Sequence, residues 1–481
     1  MLQGTGSDVG KTVLVAGLCR LAARRGLKVR PFKPQNMSNN AAVAADGGEL
    51  GRGQWLQALA CGVAPSVHMN PVLLKPQSQT GSQVVVQGRV IGQAAGRDYQ
   101  ALKPRLLASV MESFQEVSRD ADLVIVEGAG SPAEINLRAG DIANMGFATR
   151  ARVPVVLVGD IDRGGVIASL VGTHTVLPPE DRDMVSGYLI NKFRGDVSLF
   201  DSGIEAIERF TGWPCFGVVP WLAATRRLPA EDSVALEKAM ESDGEGLLVA
   251  VPVLSRIANF DDLDPLRAEP GLRVEFVRAG DRIPANADLI VLPGSKSTIG
   301  DLGDLRQNGW DRQILAHAAR GGHVIGLCGG YQMLGRSVAD PEGIEGGVTR
   351  AEGLGLLEVD TVMAREKTVR MTTATMQGLS EPVSGYEIHL GVTEGEDCKR
   401  PAMVIDGRGE GAMSSDGRVM GTYLHGLFDN DAYRRRLVAQ LGGIASAVNH
   451  RDSVIAALDD VADGLEQHLS AKWLTDLMPP A

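Results

Sequence analysis

The sequence predicts an α/β protein of two domains, each a largely parallel sheet flanked by helices. Three observations carry this. Its 481 residues exceed what one compact core holds. Short apolar runs alternate with longer amphipathic stretches, the pattern of buried parallel strands and covering helices. That alternation starts afresh after an acidic stretch near the middle of the chain.

Taken in order, the chain opens on GTGSDVGKT, Gly4–Thr12, followed by an amphipathic helix over Val13–Arg24. Only Met1, Leu2 and Gln3 precede Gly4, so the first strand is short or the true start lies upstream of Met1. Leu123–Val126, Val153–Val158, Val185–Ile190 and Phe216–Val219 read as buried strands. Residues 1–227 thus form a first domain with a phosphate-loop type parallel sheet. The acidic stretch 228–246 reads as a linker. A second domain, 247–436, opens on Leu247–Leu254 and continues with strands at Leu289–Leu292, Val324–Leu327 and Val419–Tyr423. Helical spacing over 437–481 predicts a C-terminal helical tail.

Composition narrows the function. The chain is 44% hydrophobic and 22% charged, an ordinary globular balance. No run of about 18 apolar residues predicts a membrane span, and no export signal is visible. Five scattered cysteines without CxxC pairing argue against disulfides or zinc and for a reducing cytoplasm. A net charge of −11 argues against nucleic acid as a partner. Small molecules are the expected partners; the oligomeric state is not legible, a homodimer being one option.

The first glycine-rich turn suits ATP. The strict pattern GxxxxGK[ST] starts on glycine where this chain has Thr5, with Gly4 and Gly6 on either side. Gly4, Thr5, Gly6 and Gly10 allow a tight turn whose amides face phosphate, Lys11 adds a point charge, and the helix N-terminus favours the anion. Thr12 is a ligand candidate for Mg²⁺. Glu127, at the end of LVIVE, is a second, and Asp46 in AADGGELGRGQ a third. Asn191, ending GYLINKF beside Lys192, is placed to read a purine edge. Asp160 and Asp162 could serve Mg²⁺, serve an acceptor, or form a turn. No bound prosthetic group is expected.

The second turn suits a cysteine nucleophile. Cys328 follows the apolar run HVIGL and precedes Gly329-Gly330, so the sulfur stands clear of a sheet at the start of a helix. Amides of Gly294, in LPGS, and Gly329 would form an oxyanion hole. His425, in GTYLHGLF, is the general base.

Cys328, Gly329, Gly330 and His425 resemble the triad-type, or class I, glutamine amidotransferases, which release ammonia from glutamine through a thioester. Most of those have His-x-Glu; here that position is Leu427, as in the corrinoid amide synthases, whose glutaminase works with a Cys–His pair. Gly4–Thr12 and Glu127 resemble the dethiobiotin-synthetase-like ATPases, which make acyl phosphates. KPQNMSNN (Lys33–Asn40), ADGGELGRGQ (Ala45–Gln54), DIDRGG (Asp160–Gly165) and GYEIHLG (Gly385–Gly391) resemble the cobyric acid synthase family. That resemblance implies ATP- and glutamine-dependent amidation of carboxylates b, d, e and g of adenosylcobyrinic acid a,c-diamide, giving adenosylcobyric acid. The related cobyrinate a,c-diamide synthases are the alternative. Partition-type ATPases share the loop but have no Cys–His half. Without a carboxylate at Leu427, slow glutamine hydrolysis is expected in the absence of acceptor. A neighbouring backbone carbonyl or another side chain would then orient His425, with Glu387 and His389 the nearest suspects.

Overall fold

The computed structural model describes residues 1–76, 81–229, 246–346 and 348–479. The chain divides into two compact units. The first comprises Met1–Ser38, Ala44–Pro229 and Val454–Ala481; the second comprises Asn39–Val43 and Ala230–Ser453. Most of the expected linker, residues 230–245, lies outside the described residues.

In the first unit Leu2–Gly4, Val155–Asp160, Val185–Phe193 and Cys215–Pro220 pair in that order, all parallel. A parallel bridge from Leu2 to Glu127 extends the array on the other side to Leu123–Val126, which pairs with Val29–Phe32. Leu2–Gly4 is therefore flanked by strands on both edges, and the glycine-rich loop leaves its C-terminal end. That is where α/β sheets bind ligands. The four strands read from apolar runs are present, with ends moved by up to three residues, as in Val185–Phe193 for Val185–Ile190. A separate sheet of Gln35–Met37, Val72–Pro76, Gly81–Val86 and Arg89–Ala95 was not anticipated.

The helix Lys11–Arg24 buries Leu14, Val15, Leu18 and Leu21. It does so in one core with Leu458, Val461 and Leu465 of the helix His450–His468. Gly17 marks the crossing: a Cβ there would lie 2.6 Å from Leu465 Cδ1 and 2.7 Å from Val461 Cγ1. Arg20 adds a paired hydrogen bond to Asp459. Residues 454–479 thus complete the first unit's core, not a separate tail beginning at 437.

In the second unit five parallel strands run in the order Leu272–Val277, Leu247–Pro252, Leu289–Leu292, His323–Leu327 and Val419–Thr422. A second, mainly antiparallel sheet contains the long hairpin Val359–Thr375 and Val383–Gly395, whose far edge pairs with Leu424–His425. The chain passes from one sheet to the other between Thr422 and Leu424. This carries His425 from the end of a parallel strand to a position opposite Tyr386. Among the described residues no helix is long and apolar enough to cross a membrane.

Candidate active sites

The loop Gly4–Thr12 is shaped by close approaches that exclude side chains. A Cβ on Gly4 would lie 2.7 Å from the Gly6 carbonyl oxygen and 2.8 Å from the Lys11 ammonium. Gly10 sits at φ +93° as the N-cap of Lys11–Arg24, a conformation that favours glycine. The Thr5 amide donates to Val158 O at 3.0 Å, tying the loop to the sheet. Lys11 Nζ donates to the carbonyls of Gly6 (3.1 Å) and Gly130 (3.2 Å), so the ammonium lies over the loop.

Glu127 is buried and bonded on both carboxylate oxygens. Oε1 accepts from Thr12 Oγ1 at 2.8 Å and from Lys33 Nζ at 2.8 Å. Oε2 accepts from Gln57 at 2.6 Å and Gln54 at 3.3 Å. Such a set removes the desolvation cost of a buried anion. Lys33, Gln54 and Gln57 are site residues that spacing alone did not single out. Lys33 stands in KPQNMSNN and Gln54 ends ADGGELGRGQ, motifs quoted above without a role for those side chains, while Gln57 lies three residues beyond the second.

The Mg²⁺ candidates divide. Thr12 and Glu127 meet, and a hydroxyl beside one carboxylate at a phosphate loop suits Mg²⁺, which keeps waters and takes phosphate oxygens as further ligands. Asp46 is elsewhere engaged: it accepts from Ser66 Oγ at 2.6 Å and from the Val67 amide at 3.1 Å, bracing the turn Val67–Met69. Among the described residues no group of three or more His, Cys, Asp or Glu side chains is arranged to hold a metal. Asn191 Nδ2 donates to Val9 O at 2.8 Å, so its amide supports the loop backbone. Asp160 pairs with Lys192 at 2.8 Å and Asp162 with Arg194 at 2.6 Å.

The second site is built on a strained elbow. Cys328 links the strand His323–Leu327 to the helix Gly329–Leu334 at φ 51°, ψ −108°. Non-glycine residues rarely adopt positive φ, and strain of this kind costs about 1–3 kcal/mol. The elbow is held by the Cys328 amide donating to Thr422 O at 2.8 Å. Its neighbours must be glycines. A Cβ on Gly329 would lie 2.8 Å from the Ser295 amide nitrogen, and one on Gly330 would strike the Leu292 carbonyl. The LPGS turn therefore lies against the elbow. Asp301 anchors that turn by accepting from Ser295 Oγ at 2.5 Å. A Cβ on Gly294 would lie 3.4 Å from His425 Cε1, so Gly294, Gly329, Cys328 and His425 share one small region.

His425 is buried and its ring stacks on Tyr386. Its Nδ1 lies 2.7 Å from Asp262 Oδ2, and Asp262 Oδ1 accepts from the Gly426 amide at 2.7 Å. The side chain that meets His425 is thus Asp262, and neither of the two suspects from GYEIHLG. Leu427 is buried in an apolar cluster with Phe428 and Leu424, so a carboxylate there would be desolvated. Glu387 is not the orienting group; it accepts from Arg370 at 2.5 Å, with His389 3.7 Å away. His389 stacks on Tyr423.

Electrostatics couple the cysteine and the histidine. Burial pushes the Cys328 thiol up, but the facing His425, Lys296 and the Gly329 amide outweigh it and leave the thiol below its ordinary value. Burial pushes His425 down, but the Asp262 carboxylate and Cys328 more than offset this and raise it to about 10. The pair favours thiolate and imidazolium, the nucleophilic form of a cysteine.

Comparison with known proteins agrees with both halves. Residues 1–235 match the CobQ/CobB/MinD/ParA nucleotide binding domain, and residues 248–433 match the CobB/CobQ-like glutamine amidotransferase domain. Cobyric acid synthases of a Sinorhizobium species, Rhizobium rhizogenes and Rhizobium meliloti are 71%, 70% and 70% identical to this chain, each over 99% of both sequences. The chain belongs to the cobyric acid synthase family, the glutamine-hydrolysing ligases of cobalamin biosynthesis.

Proposed function

We propose that this enzyme amidates carboxylates b, d, e and g of adenosylcobyrinic acid a,c-diamide, with ATP as activator and glutamine as nitrogen donor. The Cys328 thiolate attacks the glutamine carboxamide carbon. Gly294 and Gly329 amides hold the resulting oxyanion, and His425 protonates the departing ammonia. Water then cleaves the thioester to glutamate, with His425 taking its proton. At the other site Lys11 and the loop amides of Gly4–Thr12 hold the ATP phosphates while the corrin carboxylate takes the γ-phosphoryl group. Ammonia displaces phosphate from that acyl phosphate. Activation is needed because a carboxylate is a poor electrophile. Thr12 and Glu127 would hold Mg²⁺, which would neutralise charge on the transferring phosphoryl.

The observation that supports this reading best is the Cys328 elbow with the buried, Asp262-bonded His425 in the same small region, in a chain similar end to end to cobyric acid synthases. The test is product mass with the a,c-diamide, glutamine and ATP. Four added amides are expected. A chain that leaves the a,c-diamide unchanged but amidates cobyrinic acid twice would belong with the alternative activity.

A further inference from the structure

We infer that Asp262 is a positioning residue of the glutaminase, the carboxylate that fixes His425 in place of the missing His-x-Glu acid. It rests on the proposed Cys328–His425 pair and adds a third member from a different part of the chain.

The geometry is specific. Asp262 and His425 are 163 residues apart in sequence, yet Oδ2 and Nδ1 lie 2.7 Å apart, and both side chains are at most 3% exposed. With Nδ1–H donated to Asp262, the remaining ring nitrogen carries the lone pair that takes the thiol proton. That nitrogen, Nε2, is buried and makes no hydrogen bond of regular geometry. Asp262 Oδ1 meanwhile holds the Gly426 amide at 2.7 Å, so one carboxylate fixes both the ring and the turn that carries it.

Local sequence explains why Asp262 can stand there. Asn259 takes a left-handed conformation, φ 52°, and opens the tight turn Phe260–Leu263, all of it buried. Asn259 Nδ2 donates to Ala41 O at 2.6 Å and to Tyr386 Oη at 3.0 Å, and the Asp262 amide donates to Asn259 O at 3.1 Å. Tyr386 in turn stacks on His425 at 5.3 Å between ring centres. The turn and the ring are thus held by a shared set of contacts. The charged and titratable groups facing His425 are Asp262, Cys328 and, across the thiol, Lys296; Tyr386 covers the ring face. Orienting carboxylates of this kind are worth up to about 10⁴ in turnover, and such constellations are recognised by geometry and not by chain order.

The test compares Asp262→Asn, Asp262→Glu and Cys328→Ala in the full chain. Glutaminase turnover of Asp262→Asn is expected to fall about 10²–10⁴-fold, with ammonia-dependent amidation unchanged. Its thiol alkylation by iodoacetamide should need a higher pH, because the imidazolium that stabilises the thiolate is weakened. Asp262→Glu should recover part of the turnover. Wild-type turnover and an unmoved alkylation profile in Asp262→Asn, alongside an inactive Cys328→Ala, would overturn the inference and leave the nucleophile standing. Equal loss with glutamine and with ammonia would also overturn it, by showing a structural role. A Cys328→Ala protein that still hydrolyses glutamine would instead remove the pair on which the inference rests.

Discussion

The two candidate sites solve the burial of charge in opposite ways. In the proposed glutaminase site the charged groups face one another: Cys328 faces His425, and His425 is bonded to Asp262. In the nucleotide site the charged groups are held by neighbours that a ligand can replace. Lys11 lies on two backbone carbonyls, and the Glu127 carboxylate is shared among Thr12, Lys33, Gln54 and Gln57. A site that makes its own nucleophile needs its ion pair built in. A site that binds a polyanion needs cations whose present contacts are weak enough to exchange. Hydrogen bonds from a charged group contribute about 1.5–3 kcal/mol each, and a phosphate oxygen that carries charge is a stronger acceptor for the Lys11 ammonium than a carbonyl. The buried Lys33–Glu127 pair is harder to part.

The sharpest way to break this comparison is Cys328→Ala. It should lower glutamine-dependent amidation by at least about 10³-fold and leave amidation with high ammonium intact, as measured by product formation with each donor. Equal loss with both donors would mean the two sites are one. Lys11→Ala should do the reverse. Amidation falls about 10²–10³-fold with either donor, since a charge on the transferring phosphoryl is no longer offset, while glutamine hydrolysis measured alone persists.

A third test uses pH. The folded-state value of His425, about 10, lies above its ordinary value of 6.5. A base held above its unfolded value stabilises the fold fully below about 6.5 and loses that contribution as pH rises towards 10. The lowered Cys328 thiol acts in the opposite sense as pH rises, so the test is made in Cys328→Ala, where denaturation midpoints should decline over that window. The decline should be smaller when Asp262→Asn is added to Cys328→Ala; parallel curves for the two proteins would deny the Asp262–His425 coupling. The smallest effect is expected at Asp46. Its carboxylate braces a turn, so Asp46→Ala should cost about 1 kcal/mol of stability, as a lost cap does. The Mg²⁺ dependence of the synthase reaction should not change. A raised Mg²⁺ requirement would restore Asp46 as a ligand.

Local signals were legible in the sequence and distant ones were not. Gly4–Thr12 and the Cys328 elbow each combine an apolar strand, obligatory glycines and a following helix within a dozen or so residues, and both stand where expected. The strands were legible because burial on both faces leaves a continuous apolar run. Asp262 was not, because its partner is far along the chain and an adjacent acidic pair in a loop ordinarily reads as solvated surface. Glu387 and His389 drew attention by lying in a distinctive motif, yet the strand carrying them reaches the site through the Ile388 carbonyl, 3.5 Å from Cys328 Sγ, and the Tyr386 ring. The long hairpin Val359–Thr375 and Val383–Gly395 was also missed, since much of it is exposed and polar on both faces.

The completion of the first core by Val454–Met478 has a consequence for biosynthesis. The helix Lys11–Arg24 emerges early from the ribosome, but Leu458, Val461 and Leu465, which cover its apolar side, emerge last. At roughly 5–20 residues per second the wait is on the order of a minute or less. The intervening glutaminase unit has its own cores and can close first. The nascent nucleotide domain therefore carries an open hydrophobic face through most of translation, and chaperone capture or aggregation acts on that face until release.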